Sequence, residues 1–409
     1  MAFSANRIRA GGERRDDALD ASRFFSRIGY FLLAVGAPVG VVLHPLALFV
    51  VFPIGVALIL AAAWLEAPLG VFDRLGRPFH VPTFIVLLAG LAWAILSILW
   101  TPYPVPAGQF VLKFGLLLAA TLLAISAPRE NARATDLYLF PIGVVAGMAA
   151  MALSAILIGT AEDGRFVNGA IALAVLLFPA IGGLAARARN GLARLLLILS
   201  LCFAYIDGYA PLTVALFAGY LALSFSISDM TRTARELSWA AAALILLSPL
   251  IPALAPTVSA WIFHARLSSL PAPYSSLAVA ADIYTHDKLR LITGHGIGTV
   301  SGGVHAGLLP EHTPRALAFR VWYELGVFGV ILAAAGAWIA FRSLEKAQPR
   351  LAPYMAATFS AIVALAFLNV DFADMTTLTL IAVAVVSTDV AGRSQYRTQR
   401  PSAASLANL

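Results

Sequence analysis

The residues best equipped for chemistry lie in one stretch, GHGIGTVSGGVHAGLLPEHTPRALAFRVWYELGVFG, from Gly294 to Gly329. It begins as a glycine-rich turn around His295 and passes His305, His312, Arg315 and Arg320. It ends in WYELG-x-x-G, with Glu324 inside an apolar run. Histidine titrates near neutral pH and can take a proton from an attacking hydroxyl, while fixed guanidinium groups stabilise negative charge developing on a phosphate. A metal site is not expected: no His-x-x-x-His or Glu-x-x-His pair occurs at helical spacing, and the single Cys202 gives neither a thiolate cluster nor a disulfide framework. No cofactor motif is present.

Other candidates lie around this stretch. A carboxylate such as Glu324, about one turn inside a membrane-length helix, is costly without a partner. Arg320, four positions earlier, and Arg315 on the preceding loop are the nearest cations in sequence. Gly326 and Gly329 have the ordinary role of allowing close helix contact. Arg165, in AEDGRFVNGAIALAVLLFPA, precedes a span, at the positive end of a helix dipole. Its position is explained either by a bound anion or by an ion pair with Glu162 or Asp163. Arg266 shares the long polar segment that carries His264, His286, His295, His305 and His312. His264, His286 and His305 read as surface residues of a wet loop, and His295, between two glycines, is placed to cap a turn or to meet a substrate. Lys113 lies near the start of a span, where it snorkels to the interface or faces a polar cavity.

The elements that must position these groups are membrane helices. Hydrophobic residues make up 60% of the chain and charged ones 12%, against about 25% charged in globular domains. Apolar runs long enough for a hydrocarbon core of roughly 30 Å recur twelve times, near 28–44, 46–65, 82–100, 108–127, 138–159, 168–186, 193–208, 211–228, 237–254, 318–341, 354–370 and 373–391. The expected fold is therefore an all-α polytopic membrane protein, with a large loop between helices 9 and 10. Arg and Lys concentrate in alternate segments: the N-terminal tail, the loops near Arg74, Arg129, Arg187, Arg232 and Arg342, and the C-terminal tail. The intervening short loops at His44, 101–107, 207–210 and 369–374 hold none. By the positive-inside rule both termini are cytoplasmic. The expected order is a basic tail over 1–27, nine spans within 28–254, a periplasmic loop over 255–317, three spans within 318–391 and a tail over 392–409. The net charge of +7 is scattered over these segments rather than gathered in one patch, which excludes nucleic acid as a partner. Within the loop, Tyr274–Leu291 can form an amphipathic helix on the membrane surface, with Leu277, Ala281, Tyr284 and Leu291 toward lipid. The basic N-terminal stretch lacks a small-residue cleavage pattern after its apolar run and reads as a retained first helix.

A long outer loop ending in a Gly-x-Gly turn, a His/Pro/Arg cluster and WYELG-x-x-G resembles the O-antigen ligase and O-antigen polymerase family. GRFVNGAIALA, Gly164–Ala174, is similar to the family's arginine-containing outer loop leading into a span. The resemblance implies a bacterial inner-membrane glycosyltransferase of surface-polysaccharide or lipopolysaccharide biosynthesis. It would transfer a glycan from undecaprenyl diphosphate to a sugar hydroxyl of a second glycan or of lipid A core, with inversion and without a metal. The implied roles are His312 and Arg315 in catalysis, and Arg165, Arg266, Arg320, Glu324 and His295 in substrate binding. The family's His-Pro-His-Asn run is Thr313-Pro314-Arg315-Ala316 here, so Arg315 stands where the second histidine is usual. Either His312 takes the base role from a shifted turn, or the chemistry is organised differently. The alternative is a secondary transporter for a polar or anionic solute, whose polar groups would sit near the bilayer midplane on broken helices.

Overall fold

A computed structural model of the protein describes residues 18–76, 81–128, 138–158, 164–262, 274–286, 290–368, 370–372 and 374–393. The described residues are almost wholly helical and contain no strand. Eight helices are long and apolar enough to cross a membrane, or nine if the bent pair Met230–Leu247 and Leu250–Thr257 is one span. The protein is thus an all-α, multi-pass membrane protein. Every one of the twelve expected apolar segments coincides with a helix, but Pro82–Ser97, Asn190–Ile206 and Ala352–Phe367 are shorter than a crossing of that length. The count expected from hydropathy is reduced for a simple reason: an apolar run fixes composition, whereas proline, glycine and polar turns fix where the helix stops.

The chain forms two compact units. One comprises 1–78, 119–206 and 379–409, and the other 79–118 and 207–378. In the first, the helix Gly164–Ala186 is almost wholly hidden, with Ala174, Val175, Leu177 and Phe178 fully enclosed. The helix Leu139–Ile158 crosses Ala18–Leu43 at backbone distance. A Cβ on Gly143 would fall on the Ala34 carbonyl, so only glycine fits that crossing. The Ser22 hydroxyl donates to the Ala62 carbonyl at 2.8 Å, which ties the first helix to Ala47–Glu66.

In the second unit the helix Met230–Leu247 starts on a capped end, where the Asp229 carboxylate accepts from the Arg232 N–H at 3.0 Å. It then bends by 71° into Leu250–Ile262. The bend falls at Ser248-Pro249, because proline removes a backbone donor and clashes with the preceding turn. The segment expected to open as a loop at 255 therefore begins inside a helix that continues to Ile262. Three further helices follow, Tyr274–His286, Arg290–Thr293 and Thr299–His305.

A helix forms over Tyr274–His286 within the segment expected to lie on the membrane surface, but Tyr284 faces protein. It is buried with Ala280 against Val300, Phe319 and Tyr323, its ring 5.4 Å from that of Phe319. Aromatic packing within the protein wins over the bilayer surface, and burial raises the pKa of the Tyr284 hydroxyl above its usual range.

Candidate functional site

The site is built on a helix that is broken in the middle. Leu317–Arg320 is α-helical, Val321–Leu325 widens into a π turn, and the α-helix resumes over Gly326–Ser343. A π turn inserts one residue into the helical repeat and is a common device for re-aiming side chains at functional sites. Gly326, at φ +65°, makes the break. Its partner in the turn is Gly294, at φ +76°. A Cβ on Gly294 would lie 2.3 Å from the Glu324 carbonyl oxygen, and one on Gly326 would lie 2.6 Å from the Gly294 nitrogen. Both positions need left-handed backbone and both lack room for a side chain, so glycine is obligatory at each. The glycines of the opening stretch thus serve to thread a loop against the break.

The loop answers the carbonyls exposed there. The His295 N–H donates to the Tyr323 carbonyl and the Gly296 N–H to the Glu324 carbonyl, both at 2.9 Å. The Trp93 indole N–H, from the helix Pro82–Ser97, donates to the Leu325 carbonyl at 2.9 Å. His295 itself is buried and stacks on Tyr323 with ring centroids 4.0 Å apart, its Nδ1 donating to the Tyr323 carbonyl at 3.0 Å. Backbone polar groups buried at membrane depth have to be matched inside the protein, and this loop does so. The Ser97 hydroxyl accepts from the Ile297 N–H, and the Thr101 hydroxyl donates to the Ile297 carbonyl, which locks the same loop to Pro82–Ser97 and its following turn.

The pair suggested by the i, i+4 spacing is formed: Arg320 Nη2 lies 3.1 Å from Glu324 Oε1, with both side chains under a tenth exposed. Arg320 Nη2 also reaches the Ser301 hydroxyl at 2.9 Å, and its Nη1 reaches Asp371 Oδ1 at 2.9 Å. Glu324 Oε1 accepts a further bond, from the Val300 N–H at 3.1 Å, and so caps the helix Thr299–His305. One guanidinium therefore faces two carboxylates. Asp371 was missed in the sequence; it lies 51 positions away, in the short turn before Met375–Arg393. The available signal was the paired Asp371 and Asp374 in a segment without cations. Asp374 has a local role there, accepting from the Thr376 N–H and hydroxyl at the start of that helix.

Arg320 and Glu324 form the charged wall of a cavity of about 410 Å³. The rest is mainly apolar, with Val86, Leu91, Phe110, Phe114, Leu332 and Phe372 among the lining side chains. A cavity of this size is in the usual range for ligand sites, where a few polar groups fix orientation within an apolar enclosure.

The remaining candidates are not among the described residues lining this cavity. His312 and Arg315 are exposed on the segment just before the broken helix, and neither lines the cavity. Arg165 lies in the first turn of Gly164–Ala186, in the first unit, whereas His295, His312, Arg315, Arg320 and Glu324 belong to the second. Arg266 falls outside the described residues. Among the described residues, no three His, Cys, Asp or Glu side chains gather as metal ligands would.

No protein-family model, curated protein or solved structure matches the chain at a significant level. What fold and site define on their own is an all-α, multi-pass membrane protein with a buried Arg–Glu pair, joined by a part-exposed Asp, beside an apolar cavity.

Proposed function

We propose that the protein is an inner-membrane glycosyltransferase of the O-antigen ligase or polymerase type. It moves a glycan from undecaprenyl diphosphate to an acceptor sugar hydroxyl on the periplasmic side, with inversion and without a metal. In this reading twelve spans place both termini in the cytoplasm and the broken helix near the periplasmic face. The observation that carries the reading is the composition of the cavity: apolar over most of its wall, with one charged edge at Arg320 and Glu324. Such an enclosure suits an amphiphile whose reacting end is polar and whose tail is hydrocarbon, as a polyprenyl-linked sugar is.

Arg320 already holds two carboxylates and a hydroxyl, so it is poorly placed to receive a diphosphate as well. In this reading the diphosphate meets Arg315, which is exposed on the segment just before the broken helix. The test is reconstitution of the full chain in liposomes with undecaprenyl-diphosphate glycan and lipid A core. Appearance of a new glycosidic bond, lost in Arg315→Ala, is the expected result; a chain that folds and inserts but forms no such bond with either a glycan or a lipid A core acceptor overturns the proposal.

A second reading, a secondary transporter, is favoured by one observation: a membrane-length helix is interrupted at Gly326 beside buried charge, as transporter helices are at their binding sites. Solute uptake into the same liposomes without bond formation would select it.

A further inference from the structure

Glu324 presents one chemical feature that its structural duties leave unexplained. Both of its protein hydrogen bonds, from Arg320 Nη2 and from the Val300 N–H, fall on Oε1. Among the described residues no hydrogen bond reaches Oε2, although the side chain is only 6% exposed and lines the cavity. A glutamine amide oxygen could accept the same two hydrogen bonds, though without the charge that pairs with Arg320. A carboxylate there adds a second acceptor oxygen, and an acceptor oxygen beside an apolar wall is costly unless a ligand supplies a proton donor.

The other titratable groups near the site are less suitable as proton acceptors for a reaction in the cavity. His295 has its Nδ1 committed to the Tyr323 carbonyl and its ring face to Tyr323. His312 is exposed and does not line the cavity. Asp371 is held by Arg320 and lies outside the lining.

We infer that Glu324 is the general base of the transfer, its Oε2 accepting the hydrogen bond of the acceptor hydroxyl within the cavity and then its proton. This rests on the glycosyl-transfer reading above and assigns within it the role otherwise expected of His312. In the step, the acceptor O–H bond breaks and its proton moves to Oε2. The oxygen forms a bond to the anomeric carbon of the donor, and the bond from that carbon to the diphosphate oxygen breaks. The electron pair of the broken bond leaves with the diphosphate. Arg320 and the Val300 N–H act as positioning groups: by holding Oε1 they turn Oε2 toward the cavity.

The experiment uses membrane vesicles from a deletion strain carrying the full-length chain or a variant, with radiolabelled nucleotide sugars so that the lipid-linked donor is built in place. Glu324→Gln keeps the bonds to Arg320 and Val300 and removes the basicity. The expected result is transfer reduced about a hundredfold or more, with labelled lipid-linked donor accumulating and the folded protein unchanged in amount. Glu324→Ala should regain about tenfold or more of its lost rate when formate is added, because a small carboxylate can occupy the vacated position. Rescue of this kind would not follow from a purely structural role. The inference is overturned if Glu324→Gln stays within about threefold of wild type while His312→Ala loses transfer, or if formate restores nothing to Glu324→Ala. Failure of the wild-type chain to move any label, with donor present, instead overturns the transfer reading itself.

Discussion

Two membrane-length helices, one in each unit, hide very different surfaces. Phe166–Ala186 is continuous, with 94% of its most apolar window buried, and its enclosed residues are alanine, valine, leucine and phenylalanine. Leu317–Ser343 is interrupted at Gly326 and holds Arg320 and Glu324 at 6% and 5% exposure. The first needs only bulk of the right shape, and many sequences could supply it. The second depends on specific partners: two glycines without side chains, three carbonyls that each need a donor, and a guanidinium that needs its carboxylates. Tolerance of substitution should therefore differ sharply between the two, and the difference can be measured.

The largest effect is expected from Gly326→Val. A branched Cβ at φ +65° meets the Ile292 carbonyl at 2.5 Å, so no folded protein should be recovered by size-exclusion chromatography in detergent. Next comes Arg320→Met, which strands Glu324 in a buried setting. A loss of about 3–5 kcal/mol is expected in a denaturant titration, partly restored when Glu324 is replaced by Leu in the same chain. Leu177→Ala, in the continuous helix, should cost about 3 kcal/mol, and Leu177→Met less than about 1.5 kcal/mol. Finding Leu177→Met as damaging as Arg320→Met would erase the contrast. Asp371→Asn should have the smallest effect, about 1 kcal/mol or less, because the Asp371 side chain is 36% exposed and solvent screens its pairing.

Part of this was legible in the chain. Apolar runs find where helices lie, though not how many are long enough to cross, because hydropathy is a local property; the Arg320–Glu324 pair follows from a spacing of four on one helix. Helix ends were less legible. The segment from Leu250 stays helical to Ile262, and Ala352–Phe367 stops where a span was expected to continue. What the sequence withheld has long-range causes. Asp371 and Trp93 reach the broken helix from 51 and 232 positions away, and no periodicity encodes such contacts. Gly326 looked like an ordinary packing glycine because its role depends on Gly294, which meets it only after the chain has folded back. Tyr284 fits a surface pattern equally well; its burial comes from Phe319 and Tyr323.

The carbonyls at Gly326 also bear on where this protein can move. Opening the joint would undo the bonds from His295, Gly296 and Trp93, at about 1 kcal/mol each, so fewer than about one molecule in a hundred would be found open at any moment. An interrupted helix is often taken for a hinge, but this one is a soldered corner. The 71° elbow after Leu247 lies outside that set of bonds, and the Arg320–Glu324 pair rides on the joint that stays closed.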